Sequence, residues 1–326
     1  MNARLTNRPH LLRPLIQGLY LGFCMLVGVQ FFLFCKWLAA GGAFHERPPA
    51  VEAFLPISAL VGLYHLILTG TWDPVHPAGL FIFIAIVCSA LLFRKAFCGW
   101  ICPVGTISSL LQSIGQRLNV ALIPSRWIAL PLSSIKYLLL GFFIYFIFFN
   151  MSPSHVESFL ISPYNIVADI KMLNFFIDPT ATTLAAIGCL AGLSVFIGNF
   201  WCKYLCPYGA LLGLLASACP FQIKRHEKAC LNCKKCEKAC PMSIEITRKT
   251  IIRNPDCIGC LECLNACDTK GSLFLQGPFG RTVWPYILSV GTISILLLSW
   301  LTARLTGHWI SSVPAGVIKQ IYSALF

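Results

Sequence analysis

Eight of the chain's 17 cysteines fall into two copies of one spacing. Cys230, Cys233, Cys236 and Cys240 make the first copy, and Cys257, Cys260, Cys263 and Cys267 the second. Each reads C-x2-C-x2-C-x3-C. Thiolates so spaced suit a [4Fe-4S] cubane, with three ligands from one run and the fourth lent to the other cluster. The expected ligand sets are therefore Cys230, Cys233, Cys236 and Cys267 for one cluster, and Cys257, Cys260, Cys263 and Cys240 for the other. Zinc and disulfides are the competing uses of cysteine, but agreement at all eight positions favours iron–sulfur. The pattern predicts two [4Fe-4S] clusters and single-electron chemistry.

The remainder of the chain predicts where that chemistry occurs. Hydrophobic residues make up 57%, charged residues only 11%, and mean hydropathy is +0.74, which is a membrane composition. Apolar runs of spanning length occur at residues 15–38, 128–149, 180–201 and 283–303. A shorter run, 78–93, is bounded by Arg94 and Lys95, which long stems would let snorkel. The first run is too long for a signal-peptide core and reads as an uncleaved anchor.

With the N-terminus inside, 20 of the 25 Lys and Arg fall in cytoplasmic segments, among them Arg4, Arg8, Arg13, Arg94, Lys95, Arg117, Arg126 and Lys136. Lys36, Arg47, Lys171, Arg304 and Lys319 remain outside. Acidic residues split evenly, as expected when only Lys and Arg carry the rule. The net charge of +13 is thus largely a topology signal. The cysteine-rich segment falls in the cytoplasm, a reducing compartment that suits clusters over disulfides. The basic run from Lys224 to Lys238 offsets the negative charge of thiolate-ligated clusters, faces anionic lipid, or guides an acidic partner.

The membrane part carries a repeat. Val51-Glu52-Ala53-Phe54-Leu55 recurs as Val156-Glu157-Ser158-Phe159-Leu160, and Asp73-Pro74 as Asp178-Pro179, each 105 residues on. CGWICPVG, with Cys98 and Cys102, recurs 104 residues on as CKYLCPYG, with Cys202 and Cys206. Both copies run in the same direction, which predicts a parallel repeat of helix hairpins. Residues 54–70 and 159–177 read as re-entrant or interfacial pieces on the outer face. Within each CxxxCP turn the cysteines stand at i and i+4 on one helical face, so a pair can grip one centre. The following Pro and Gly end the helix and free N–H groups for sulfur. If the repeats pack about a pseudo-twofold axis, Cys98, Cys102, Cys202 and Cys206 converge on a possible third centre. The alternatives are inert thiols in a helix-ending turn, or a redox dithiol.

The outer segments hold the polar residues Glu52, His65, Asp73, His76, Glu157, Asp169 and Asp178, which are candidates for a quinol site. Asp73 and Asp178, each before a proline, also read as helix N-caps. Glu52 and Glu157 suit helix N-termini, and His65 suits a satisfied polar group. Cys24, Cys35, Cys88 and Cys189 read as small hydrophobes, and Cys219 carries no assigned role. Val317, Ile321 and Leu325 suggest a surface helix near the C-terminus.

The two CxxxCP turns together with the double cysteine motif resemble the NapH and NosR family of polyferredoxin membrane proteins. The resemblance covers about residues 10–275 and is carried by the cysteines. It implies quinol oxidation, or electron supply to periplasmic reductases and their maturation, from a bacterial inner membrane. The flavin-bearing outer domain associated with NosR has no counterpart here. The helix at 283–303 and the tail beyond it add to the NapH-like pattern, and Asp268 stands where the second motif would end in Pro.

No CxxCH attaches haem c, and no Rossmann glycine fingerprint or P-loop is present, so neither NAD nor another nucleotide is expected. No basic face on a soluble fold suggests nucleic acid. The expected architecture is an α-helical integral membrane protein with about five transmembrane helices and an inserted two-[4Fe-4S] ferredoxin-like domain. Its parts are residues 1–118 and 119–223, each a membrane repeat ending in CxxxCP, then 224–278, the ferredoxin-like domain, and 279–326, a fifth helix and outer tail. The function expected is that of a quinol dehydrogenase-like electron-transfer subunit, with membrane lipid, quinone and a redox protein as partners. The alternative is a maturation or metal-reductase factor that supplies electrons for assembling a metalloenzyme.

Overall fold

The computed structural model describes residues 12–122, 124–269 and 271–325. Arg4, Arg8, His10, Lys270 and Phe326 lie outside them, as does the side chain of Arg126. Helix α1 (Leu12–Ala40) is followed by α2 (Pro56–Thr69) and α3 (Pro77–Phe93). A short α4 (Ala96–Trp100) leads into α5 (Pro103–Arg117), and α6 (Arg126–Tyr145) runs into a π turn, Phe146–Asn150. Next come α7 (Pro153–Leu160), α8 (Pro163–Ile166), α9 (Ala168–Ile177), α10 (Ala181–Phe196) and α11 (Pro207–Ala216). Strands β1 (Gln222–Arg225), β2 (Ile251–Ile252) and β3 (Leu273–Gln276) enclose α12 (Lys235–Lys238) and α13 (Glu262–Asn265). Helices α14 (Ile287–Leu305) and α15 (Ala315–Leu325) complete the described chain.

Three stretches are long and apolar enough to cross a bilayer: Leu12–Ala40, Trp127–Asn150 and Ile287–Leu305. They keep large apolar side chains such as Leu26, Phe142 and Leu298 exposed, as a lipid-facing surface requires. Of the other two expected spans, 180–201 comes out shorter, as α10, and the short run 78–93 keeps its length, as α3. With 17 residues in α3 and 16 in α10, each rises only about 24–26 Å, below the ~30 Å hydrocarbon core. Helices α9 and α10 meet at 80°, as one broken span or a re-entrant pair. Helix α10 begins later than expected because Thr180 caps it, accepting from the Thr183 N–H at 3.3 Å. Asp178, the expected cap, instead closes α9.

The chain separates into two units that cut across the expected sequential parts. Among the described residues, one holds 12–21, 86–140 and 188–295; the other holds 22–85, 141–187 and 296–325. The cuts fall inside α1, α3, α6, α10 and α14, so each of these helices gives one end to each unit.

The first unit contains every CxxxCP and C-x2-C-x2-C cysteine. Its small sheet has the order β2-β1-β3, both pairs antiparallel, with Ile223 and Leu275 facing each other at its centre. The sheet begins at Gln222, two residues ahead of the expected boundary at 224. Helix α5 buries its polar face, Thr106, Ser108 and Gln112, and exposes Val104, Ile107, Leu110 and Ile114. That inverted amphipathic pattern suits a helix lying against lipid.

The second unit is centred on Phe31, Phe34, Leu38, Val51, Val167 and Ile170. Its α15 is not simply a surface helix. Ile318 joins this core, while Val317 and Leu325 stay exposed and Ile321 is half-buried. Both groups of Ser312 donate to Pro74 O just ahead of the helix, which ties the tail down.

Candidate functional site

The two ferredoxin-like loops have matching backbones. Asn232 and Lys234 adopt left-handed conformations in the first (φ 52° and 57°), and Gly259 and Leu261 do so at the equivalent places in the second (φ 60° and 66°). Non-glycine residues resist such angles, and the strain persists where a loop must curl around a ligand. The alternation turns successive N–H groups to one side, the arrangement that receives anionic sulfur. Each loop then enters a four-residue helix, α12 or α13, which carries the third cysteine.

A cavity in this segment is lined by Cys240, Cys257, Cys260 and Cys263, with Ile223, Ile252 and Ile258 among its apolar walls. Cys240, the last cysteine of the first motif, thus stands with three cysteines of the second. Cys267 crosses the other way, within electrostatic reach of Cys236. Burial pushes Cys260 up to about 12, and Cys236 up to about 11. Thiols crowded this way ionise only with a positive core among them, which is what an iron–sulfur cube provides. Among the described residues, no three His, Cys, Asp or Glu close on a single-ion position, as zinc would need.

The CxxxCP turns match as well. Cys102 N–H bonds to Phe97 O and Cys206 N–H to Trp201 O, both at 2.9 Å and both reaching back five residues. Such π-type turns recur at functional sites. The proline after each second cysteine begins a new helix, α5 or α11, rather than merely ending the old one. Cys206 Sγ caps α11 by accepting from Gly209 N–H at 3.2 Å, whereas Cys102, at the matching place ahead of α5, makes no such side-chain bond. Gly105 is needed because a Cβ there would stand 2.5 Å from Cys98 O.

The four thiols converge. The field of each of Cys102, Cys202 and Cys206 acts on Cys98, and that of Cys206 on Cys202. Cys202 Sγ also lies 3.8 Å from Ser108 Oγ on the buried face of α5. Beside them, Lys95 is only 2% exposed, and its Nζ has no hydrogen-bond partner. A Cβ on Gly209 would meet Lys95 Nζ at 3.3 Å and Cys206 Sγ at 3.5 Å, so the ammonium and the thiol flank one point. Snorkelling, expected from the sequence, does not occur. Arg94 is equally buried and donates from Nη1 to Phe221 O at 3.1 Å. Cys219 has a structural role that spacing alone did not reveal: it accepts from Arg94 N–H and Phe221 N–H and donates to Leu92 O.

Several contacts join the CxxxCP turns to the ferredoxin-like segment. Trp100 Nε1 donates to Gly259 O at 3.0 Å, and Gly99 packs so closely on Ile258 O that a Cβ would sit 2.5 Å away. Arg13 bonds Gly99 O and pairs with Glu262 at 3.0 Å. Asn199 bridges Gln112 and Pro241 O, and buried Lys136 pairs with Asp256. Gly99, Trp100, Ile258, Gly259 and Glu262 are non-cysteine positions of the two motifs, whereas Arg13, Gln112, Lys136, Asn199 and Asp256 lie outside them; the pairing of these residues is visible only once the chain is folded.

The candidate quinol residues behave differently. In the second unit Arg47 lies 2.8 Å from Asp169 and 3.5 Å from Glu52, and all three are largely closed off from solvent. Glu52 Oε2 accepts from Gly79 N–H at 2.9 Å, and so caps α3 from 27 residues away. His76 Nδ1 faces Arg47 at 3.2 Å and Glu52 at 3.5 Å, while Nε2 bonds Asn165 O at 2.8 Å. Burial opposes a proton on His76, but the hydrogen bond and charge of Glu52 outweigh it and hold its pKa above the ordinary value. Asp73 caps the turn through Val75 and His76 rather than α3 itself. Glu157 and Asp178, the repeat counterparts, are exposed, and His65 is a satisfied group bonded to Thr71 at 3.0 Å.

Comparison with known proteins agrees with the cysteine geometry. The "4Fe-4S binding domain" family matches twice, at residues 75–120 and 180–226, each match containing one CxxxCP turn. The "4Fe-4S dicluster domain" family matches residues 222–268. YccM of Escherichia coli (strain K12), provisionally named an electron transport protein, is 36% identical over 321 residues, 95% of this chain and 89% of its own. NirI of Paracoccus denitrificans is 31% identical over 67% of this chain but only 32% of its own length. Ferredoxin-type protein NapH of Haemophilus influenzae is 26% identical over 56% of this chain and 62% of its own. No solved structure matches.

Proposed function

Since the chain belongs to the NapH/NosR-type polyferredoxin family of iron–sulfur electron-transport proteins, we propose that it exchanges electrons between membrane quinone and a redox partner protein. Two [4Fe-4S] clusters are held by Cys230, Cys233, Cys236 and Cys267, and by Cys257, Cys260, Cys263 and Cys240. A third centre is held by Cys98, Cys102, Cys202 and Cys206. When bound, such centres accept and release one electron at a time. The Lys and Arg bias supports a cytoplasmic N-terminus and ferredoxin-like domain in a bacterial inner membrane, with the C-terminus periplasmic.

The observation that carries this reading is the convergence of the four CxxxCP thiols. Trp100 and Gly99 hold that group directly against the loop of Cys257, Cys260 and Cys263. Behind it lies α5, with an apolar outer face from which a lipid-soluble quinone can approach. A quinol gives up two electrons and two protons, and centres held by these cysteines would supply the one-electron acceptor chemistry.

Adding a quinol to the oxidised protein in detergent should bleach its cluster absorbance. Replacing either CxxxCP pair by serine should slow the bleaching as much as replacing both, the non-additivity of a shared site. Undiminished reduction in the quadruple variant contradicts the reading. Reduction by a soluble donor alone, coupled to failed maturation of a target enzyme, favours the maturation-factor alternative instead.

A further inference from the structure

We propose that Lys95 supplies a fixed positive charge that sets the redox potential of the third centre. This rests on the proposed ligation by Cys98, Cys102, Cys202 and Cys206. Lys95 follows the end of α3, and α4, with Cys98, begins at the next residue. It is 2% exposed, and its Nζ is shielded from water with no hydrogen-bond partner. An isolated ammonium so placed is costly unless an anion faces it.

Among the described residues, no carboxylate pairs with Lys95. The other buried lysine, Lys136, has Asp256 as its partner, and Lys95 repels it. The groups on which the field of Lys95 acts favourably are Cys98 and Cys202, one from each CxxxCP turn. Cys206 Sγ flanks the same point beside Gly209.

A [4Fe-4S] core of charge 2+ with four thiolates carries a net charge of 2−, and one added electron makes it 3−. The ammonium is a nearby compensating cation, and its attraction grows when the electron arrives. Lys95 therefore favours the reduced state and raises the midpoint potential. In the second repeat the equivalent position, 104 residues on, is Asn199, which is neutral and bonded to Gln112 and Pro241 O. The second repeat contributes Lys136, whose field also reaches Cys202 and Cys206, but that lysine is already paired with Asp256. Lys95 is a positioning charge rather than a ligand.

The test is an EPR redox titration of the full-length protein in detergent, comparing wild type with Lys95→Met and Lys95→Arg. Lys95→Met should move the third-centre signal to lower potential while both ferredoxin-like signals stay in place. Lys95→Arg should restore the wild-type potential. If Lys95→Met loses the centre, retention in Lys95→Arg supports the charge role, and loss in both overturns it. An unchanged midpoint in Lys95→Met, with the signal intact, also overturns it. Wild-type protein with no third signal fails the ligation reading itself, which is a separate outcome.

Discussion

Arg47 and Lys95 are both closed off from solvent, one in each unit, and they differ in what surrounds them. Arg47 sits between Asp169 and Glu52, with His76 alongside and Glu52 anchored in turn on α3. Lys95 faces thiols and has no partner of its own. A buried charge whose partners are all protein groups is complete as it stands and holds elements together. A buried charge without one marks a place where an anion from outside the polypeptide belongs. Glu52, His76 and Asp169, attractive for quinol when read from sequence, are therefore better understood, with Arg47, as a fastening for the loops of the second unit.

The largest effect should come from breaking the complete cluster. Arg47→Met strands Glu52 and Asp169 and is expected to cost about 3–5 kcal/mol, read by thermal unfolding in detergent, whether or not iron is loaded. Lys95→Met should do the opposite in iron-depleted protein, raising stability by about 1–4 kcal/mol because an unpaired charge is removed. Equal losses in the two variants would erase the distinction between the units.

A smaller effect is expected at the junction of the CxxxCP turns and the ferredoxin-like loops. Trp100→Phe keeps the packing but leaves Gly259 O without its donor, at about 1–3 kcal/mol. It should also slow reduction of the cluster held by Cys257, Cys260 and Cys263. Unchanged stability and rate would remove Trp100 from the junction.

The smallest effect concerns pH. Glu52 holds the pKa of His76 above the ordinary value, so its contribution to stability is full below about pH 6.5 and lost as pH rises through the raised folded value. His76→Gln should flatten that alkaline loss. A steeper loss in the variant would reverse the sign.

Cysteine chemistry was legible because a cubane dictates ligand spacing, and spacing is a property of sequence. The crossover of Cys240 and Cys267 is expected from the same rule, and Cys240 lines one cavity with Cys257, Cys260 and Cys263. The matching of the CxxxCP turns was legible as repetition. Arg94 and Lys95 were not legible: a long cationic side chain at a helix end can turn outward or inward, and only the packing of Gly209, Phe221 and Cys219 turns these two inward. Glu52 acts on Gly79 across 27 residues, a contact no local pattern encodes. The helix at 180–201 is shorter than its apolar run because the run continues through turns: Thr180 starts α10 and the left-handed Asn199 follows its end, leaving 16 helical residues.

Whether Cys98, Cys102, Cys202 and Cys206 hold a centre of their own can be read from metal content. Iron and acid-labile sulfide per chain, measured on anaerobically purified protein, test this most directly. About twelve irons are expected in the wild type and about eight in the quadruple serine variant, with both ferredoxin-like EPR signals retained. About eight irons in both proteins would contradict a third centre.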